Sequence, residues 1–130
     1  MRVLALDYGS ARCGCALSDP TGTIVTPIEA IEQPAGRRGL GAISRLVTER
    51  EVERVVVGLP LSLRGEDTEQ TRETREFAAT LSVRLGELVP VELHDERFTT
   101  RIAAQMQYAT TSEDSRAAAV LLESWLARSQ

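Results

Sequence analysis

The chain has 130 residues, 42% hydrophobic and 26% charged, with a net charge of −4, which fits one globular domain with one core. Net acidity excludes a surface coated in basic charge for non-specific nucleic-acid binding, although a local basic strip remains open. No apolar run approaches the roughly 18 residues of a membrane span and no secretory leader pattern is recognised, so a cytoplasmic protein without a membrane partner is expected.

Two apolar runs, residues 2–7 and 12–18, flank Tyr8-Gly9-Ser10 and read as a hairpin. Asp19-Pro20-Thr21-Gly22 is a turn, and residues 23–28 make a third antiparallel strand before a connector over 29–36. Leu40, Ile43, Leu46 and Val47 recur at helical spacing. Residues 54–59, Arg-Val-Val-Val-Gly-Leu, read as a strand buried on both faces. A helix over 68–86 carries Phe77, Leu81 and Leu85 on one side and a solvated charge run on the other. A short strand over 91–94, a helix from Thr99 or Thr100 to about 108, a connector over 109–112 and a last helix over 113–128 complete the chain. The expected architecture is α/β: one mixed five-stranded sheet, three antiparallel strands then two parallel ones, flanked by helices, in a single domain spanning 1–130.

Cys13 and Cys15 alternate with Gly14 and share one strand face. They read as small buried side chains, since a disulfide across one residue is strained and the spacing is not a zinc framework. His94 is the single histidine, which argues against a histidine-based metal cluster. All fifteen basic residues are arginine, a bidentate phosphate donor where it clusters.

Three acids hold positions that a core does not explain. Asp7 ends the first strand, Asp95-Glu96 ends the last, and Asp114 opens the last helix. Each has a bland reading: a turn residue, a solvated pair, and a favourable charge at a helix N-terminus. Binding sites in such sheets gather at strand ends. Three carboxylates meeting there would repel one another without a cation. Mg²⁺ or Mn²⁺ suits such an all-oxygen set, and two such ions roughly 3.5–4 Å apart can hydrolyse a phosphodiester. Adjacent strand residues face opposite ways, so only one of Asp95 and Glu96 should face the metal.

These stretches resemble a family. Asp7-Tyr8-Gly9-Ser10-Ala11-Arg12-Cys13-Gly14 is similar to the D-x-G-x-x-R-x-G opening of the YqgF/RuvX group. Val57-Gly58-Leu59-Pro60 with Gly65, Asp95-Glu96-Arg97-Phe98-Thr99-Thr100, and the helix from Asp114 resemble its three later motifs, in order. The resemblance implies an RNase H-like fold and a metal-dependent nuclease, a hydrolase with Asp7, Glu96 and Asp114 as metal-binding catalytic acids. The family is described both as Holliday junction resolvases and as nucleases maturing the 5′ end of pre-16S rRNA in ribosome biogenesis. Partners are then structured RNA or branched DNA. The candidate contacts are Arg97, which adjoins Glu96, with Arg12, Arg64, Arg101 and Thr99. The connector Ala109-Thr110-Thr111-Ser112 is short and uncharged where many members carry a basic loop, which removes one expected contact.

Three rival readings make different demands. A junction resolvase needs a homodimer to cut paired strands. An actin-like ATPase or kinase shares the acid-bearing hairpin but needs a second domain. A non-catalytic RNA-binding assembly factor would tolerate Asp7→Asn.

Overall fold

The computed structural model describes residues 1–97 and 113–128. The expected helix after Thr99 and the connector over 109–112 lie outside the described residues.

Strands β1 (Val3–Asp7), β2 (Arg12–Ser18) and β3 (Val25–Glu32) form the antiparallel part. Helix α1 (Arg37–Glu49), strand β4 (Arg54–Leu59), helix α2 (Glu69–Leu85), strand β5 (Val91–Asp95) and helix α3 (Glu113–Arg128) follow. The sheet order is β3-β2-β1-β4-β5. β1 pairs antiparallel with β2 and parallel with β4, and β4 pairs parallel with β5. The expected mixed sheet is therefore present. The largest boundary difference is at β3, which starts two residues later than expected and runs on through Glu32. Glu29 and Glu32 suggest a connector, but β3 is an edge strand, where charge is tolerated.

Side-chain alternation gives the sheet two different faces. On one, Leu4, Leu6, Cys13, Cys15, Val55 and Val57 pack against Ile43 of α1 and Phe77 and Leu81 of α2. Burying each large side chain stabilises the fold by about 1.5–3 kcal/mol. On the other, Val3, Ala5, Ala16 and Val56 meet Ala118, Ala119, Leu121 and Leu122 of α3. Both cysteines are free thiols in the first core. The neighbouring Cys15 thiol and burial raise the Cys13 pKa.

Local chemistry fixes the helix starts and ends. Thr68 caps α2: its hydroxyl accepts from the Thr71 amide at 3.2 Å, while the Thr68 amide donates to the Thr71 hydroxyl at 3.0 Å. The same Thr71 hydroxyl donates to the Pro60 carbonyl, tying the start of α2 to the end of β4. At the far end of α3, Trp125 Nε1 donates to Glu92 of β5 at 2.9 Å, and Arg54 of β4 reaches the same carboxylate at 3.3 Å. Among the described residues, no helix is long and apolar enough to cross a membrane.

Candidate active site at the carboxyl edge of the sheet

Because β1, β4 and β5 are parallel, their C-terminal ends share one edge of the sheet. Asp7 is the last residue of β1 and lies opposite Gly14 of β2. Val3 and Ala5 point toward α3, so alternation turns Asp7 the same way. Leu6 pairs with Val57, and the next step of that register sets Asp7 beside Gly58. The residue at the end of the central strand is thus flanked by a glycine on each side.

Both glycines are needed for close approach. A Cβ on Gly14 would fall 1.8 Å from the Asp114 carbonyl oxygen and 2.9 Å from the Ser115 amide nitrogen. The first turn of α3 therefore rests directly on the β2 backbone. A Cβ on Gly58 would fall 2.4 Å from Glu96 Oε2, so the Glu96 carboxylate lies over β4 on the α3 side. Asp7 thus stands between Glu96 over Gly58 and the Asp114 turn over Gly14. The buried Ser115 hydroxyl secures that turn by donating to the Ile28 carbonyl of β3. It does so where β3 inserts an extra residue opposite Gly14.

Asp95 takes the other side. It accepts from the Arg97 backbone amide at 3.0 Å and from Nε at 3.1 and 2.9 Å, one to each carboxylate oxygen, and pairs with Arg97 Nη2 at 2.7 Å. The Arg97 side chain holds the Asp95 carboxyl below its usual range. Arg97 also reaches the Leu63 carbonyl at 3.4 Å, so as it stands it braces the loop after β4. Arg12 pairs with Asp114 at 3.4 Å across an exposed contact, worth about 0–1 kcal/mol at such a surface. Arg64 is exposed on the loop after β4. Thr99 and Arg101 lie outside the described residues. A cavity of about 360 Å³ opens beside Asp114, lined also by Tyr8, Ser10, Arg12, Gln70 and Glu73.

Among the described residues, no three acidic, histidine or cysteine side chains stand close enough together to hold a metal ion. The donor set still suits a hard divalent cation. Asp7, Glu96 and Asp114 offer only oxygens and come from the end of β1, the residue after β5 and the start of α3, with glycines making room for the Glu96 carboxylate and the Asp114 turn.

The family model described as "RuvX: Holliday junction resolvase" matches residues 1–128. The chain belongs to the RuvX family. A relative from Maridesulfovibrio salexigens, named "Putative pre-16S rRNA nuclease", is 37% identical over 98% of this chain and 99% of its own length. A relative of the same name from Chloroflexus aurantiacus is 47% identical over 80% of this chain and 67% of its own. Among solved structures, Fowlpox virus resolvase with Holliday junction DNA superposes with a TM-score of 0.65 at 12% identity, covering 98% of both chains. Thermus thermophilus RuvC with its junction substrate gives 0.62 at 15%, covering 99% of this chain and 96% of that one. At these identities the likeness is one of fold, the RNase H-like fold expected of a RuvX member.

Sequence reasoning singled out the acids of this RuvX chain but not their supports. Gly14, Gly58 and Ser115 were missed as positioning residues. The available signal was a glycine in the interior of each of two apolar strands, which marks close backbone approach. The bulge that sets Ile28 under Ser115 had no such signal.

Proposed function

We propose that this RuvX chain is a divalent-metal-dependent nuclease of the cytoplasm that hydrolyses phosphodiester bonds at the 5′ end of pre-16S rRNA. The observation that carries the reading is the shared aspect of Asp7, Glu96 and the Asp114 turn at one sheet edge, with glycines beneath the flanking pair. The names of the relatives support the rRNA substrate.

Asp7, Glu96 and Asp114 would hold Mg²⁺ or Mn²⁺, in a two-ion arrangement. Bound there, the metal supplies an activated water and stabilises the leaving oxygen. Asp7 is the fixed member, set by its pairing with Gly14 of β2. Arg12 lies beside Asp114 and can turn its guanidinium from that carboxylate to a substrate phosphate. Arg64 offers a second exposed cation. Arg97 anchors Asp95 and so keeps the strand end that carries Glu96 in place. Arg101 and Thr99 complete the proposed nucleic-acid contacts.

A second reading, resolution of four-way DNA junctions by a homodimer, is favoured by the description of the matching family model. One experiment separates the two. Wild type and Asp7→Asn are incubated with single-stranded RNA, duplex RNA bearing a 5′ extension, and a four-way DNA junction, in Mg²⁺, Mn²⁺ or EDTA. The proposal expects RNA cutting that EDTA and Asp7→Asn each abolish. Junction cutting in preference to RNA replaces it with the second reading. Cutting by Asp7→Asn at the wild-type rate, or none by folded wild type, overturns the nuclease reading.

A further inference from the structure

Five large hydrophobic side chains are strongly exposed among the described residues: Met1, Ile24, Leu63, Val83 and Leu88. Four sit at the end of the sheet remote from the acids. Met1 precedes β1, Ile24 lies in the β2–β3 turn, and Val83 and Leu88 flank the passage from α2 to β5. Leu63 alone lies at the carboxyl edge, in the loop that leaves β4 beside Glu96, and it is 89% exposed.

That loop is held in shape. The Gly65 amide donates to the Ser62 carbonyl at 2.8 Å, and the Ser62 amide to the Glu66 carbonyl at 3.0 Å. The Ser62 hydroxyl accepts from the Glu66 amide at 3.0 Å. Gly65 has φ +82 and a Cβ there would lie 3.0 Å from Arg97 Nη1, so the turn favours glycine and lies close to the Arg97 guanidinium. Arg97 reaches the carbonyl of Leu63 itself, and Thr71 holds Pro60 at the loop base. An apolar side chain in water usually needs no explanation. This one is different: it stands on a braced turn, next to an exposed cation, Arg64, on the edge that carries the acids.

We propose that Leu63 is a wedge that packs against a base of the nucleic-acid substrate next to the cutting site, opening a stacked step while Arg64 holds the adjacent phosphate. Apolar side chains inserted at base steps unstack and kink nucleic acid in this way. The role would make Leu63 a determinant of where the chain cuts. It rests on the nuclease reading and deepens it.

The test uses the full chain with Asp7→Asn, so that the probe stays intact. The probes are an RNA hairpin with a 5′ extension and a four-way DNA junction, each with 2-aminopurine placed in turn at positions around the strand junction. Unstacking raises 2-aminopurine fluorescence. The proposal expects a rise of at least about threefold at one or two adjacent positions. Adding Leu63→Ser should return that signal to the free-probe level, and Leu63→Met should retain it. Affinity should fall less than about fivefold in Leu63→Ser, because phosphate contacts dominate binding. An unchanged rise in Leu63→Ser overturns the proposal, as does the lack of a rise at every position on a bound probe. Sedimentation of a dimer that Leu63→Ser converts to monomer, with no fluorescence change, assigns Leu63 to a protein interface instead. Failure of the nuclease reading is read separately, as absence of cutting by the unsubstituted chain.

Discussion

The two faces of the sheet do different work with different side chains. The face under α1 and α2 is filled by large groups, with Leu4, Leu6, Ile43 and Leu81 fully buried and Tyr8 stacked on Phe77 at 4.5 Å between ring centroids. The face under α3 is built largely from alanine, valine and glycine. Bulk on the first face stabilises the fold. Smallness on the second lets a helix backbone touch the sheet, and so sets Asp114 within reach of the strand that ends in Asp7. The same economy of size at Gly58 makes room for the Glu96 carboxylate.

This contrast can be broken from either side. Leu81→Ala, on the large face, should cost about 2–5 kcal/mol in urea denaturation, while cleavage per folded molecule stays near wild type. Gly14→Ala, on the small face, should cost about 1–3 kcal/mol through overpacking, yet cut cleavage far more than Leu81→Ala does, because the Asp114 turn must lift. Equal cleavage in the two variants would remove the distinction between the faces. Thr68→Ala deletes the α2 cap and should cost about 0.5–2 kcal/mol, readable as a shift in the urea midpoint with cleavage again retained.

A smaller effect concerns pH. His94, buried under α3, contacts the Ser124 hydroxyl at 3.1 Å. Burial, with Arg128 as a lesser cause, lowers its pKa from the ordinary 6.5. The unfolded chain therefore binds the proton more readily, and His94 makes stability fall as pH drops below about 6.5. Urea midpoints measured at pH 5 and pH 7.5 should differ less in His94→Gln than in wild type.

Much of this was readable from residue order. The valine run at 54–59, the acid after each of two apolar strands, and the stripe of Ala118, Leu121 and Leu122 each carry their own periodicity or boundary. Strand alternation said only that Asp95 and Glu96 should face opposite ways, and the family resemblance chose Glu96; in the structure Asp95 is engaged by Arg97 while the Glu96 carboxylate lies over Gly58. Other features depend on contacts between remote segments. Arg97 adjoins Glu96 in sequence, but its partners include Asp95 and a loop more than thirty residues earlier. Ser115 finds Ile28 across 87 residues. No local pattern records such a pairing. The length of β3 was hidden for another reason: an edge strand exposed along one side looks like a connector.

The central claim is the proposed divalent-cation site, which would draw Asp7, Glu96 and Asp114 together on the small-residue face. Mn²⁺ binding followed by electron paramagnetic resonance tests it without need of a substrate. The wild-type chain should bind Mn²⁺, and Asp7→Asn, Glu96→Gln and Asp114→Asn should each weaken binding by at least about tenfold, roughly 1.4 kcal/mol. Gly14→Ala, which leaves every carboxylate in place, should weaken it as well. Wild-type Mn²⁺ binding in all four variants would contradict the claim.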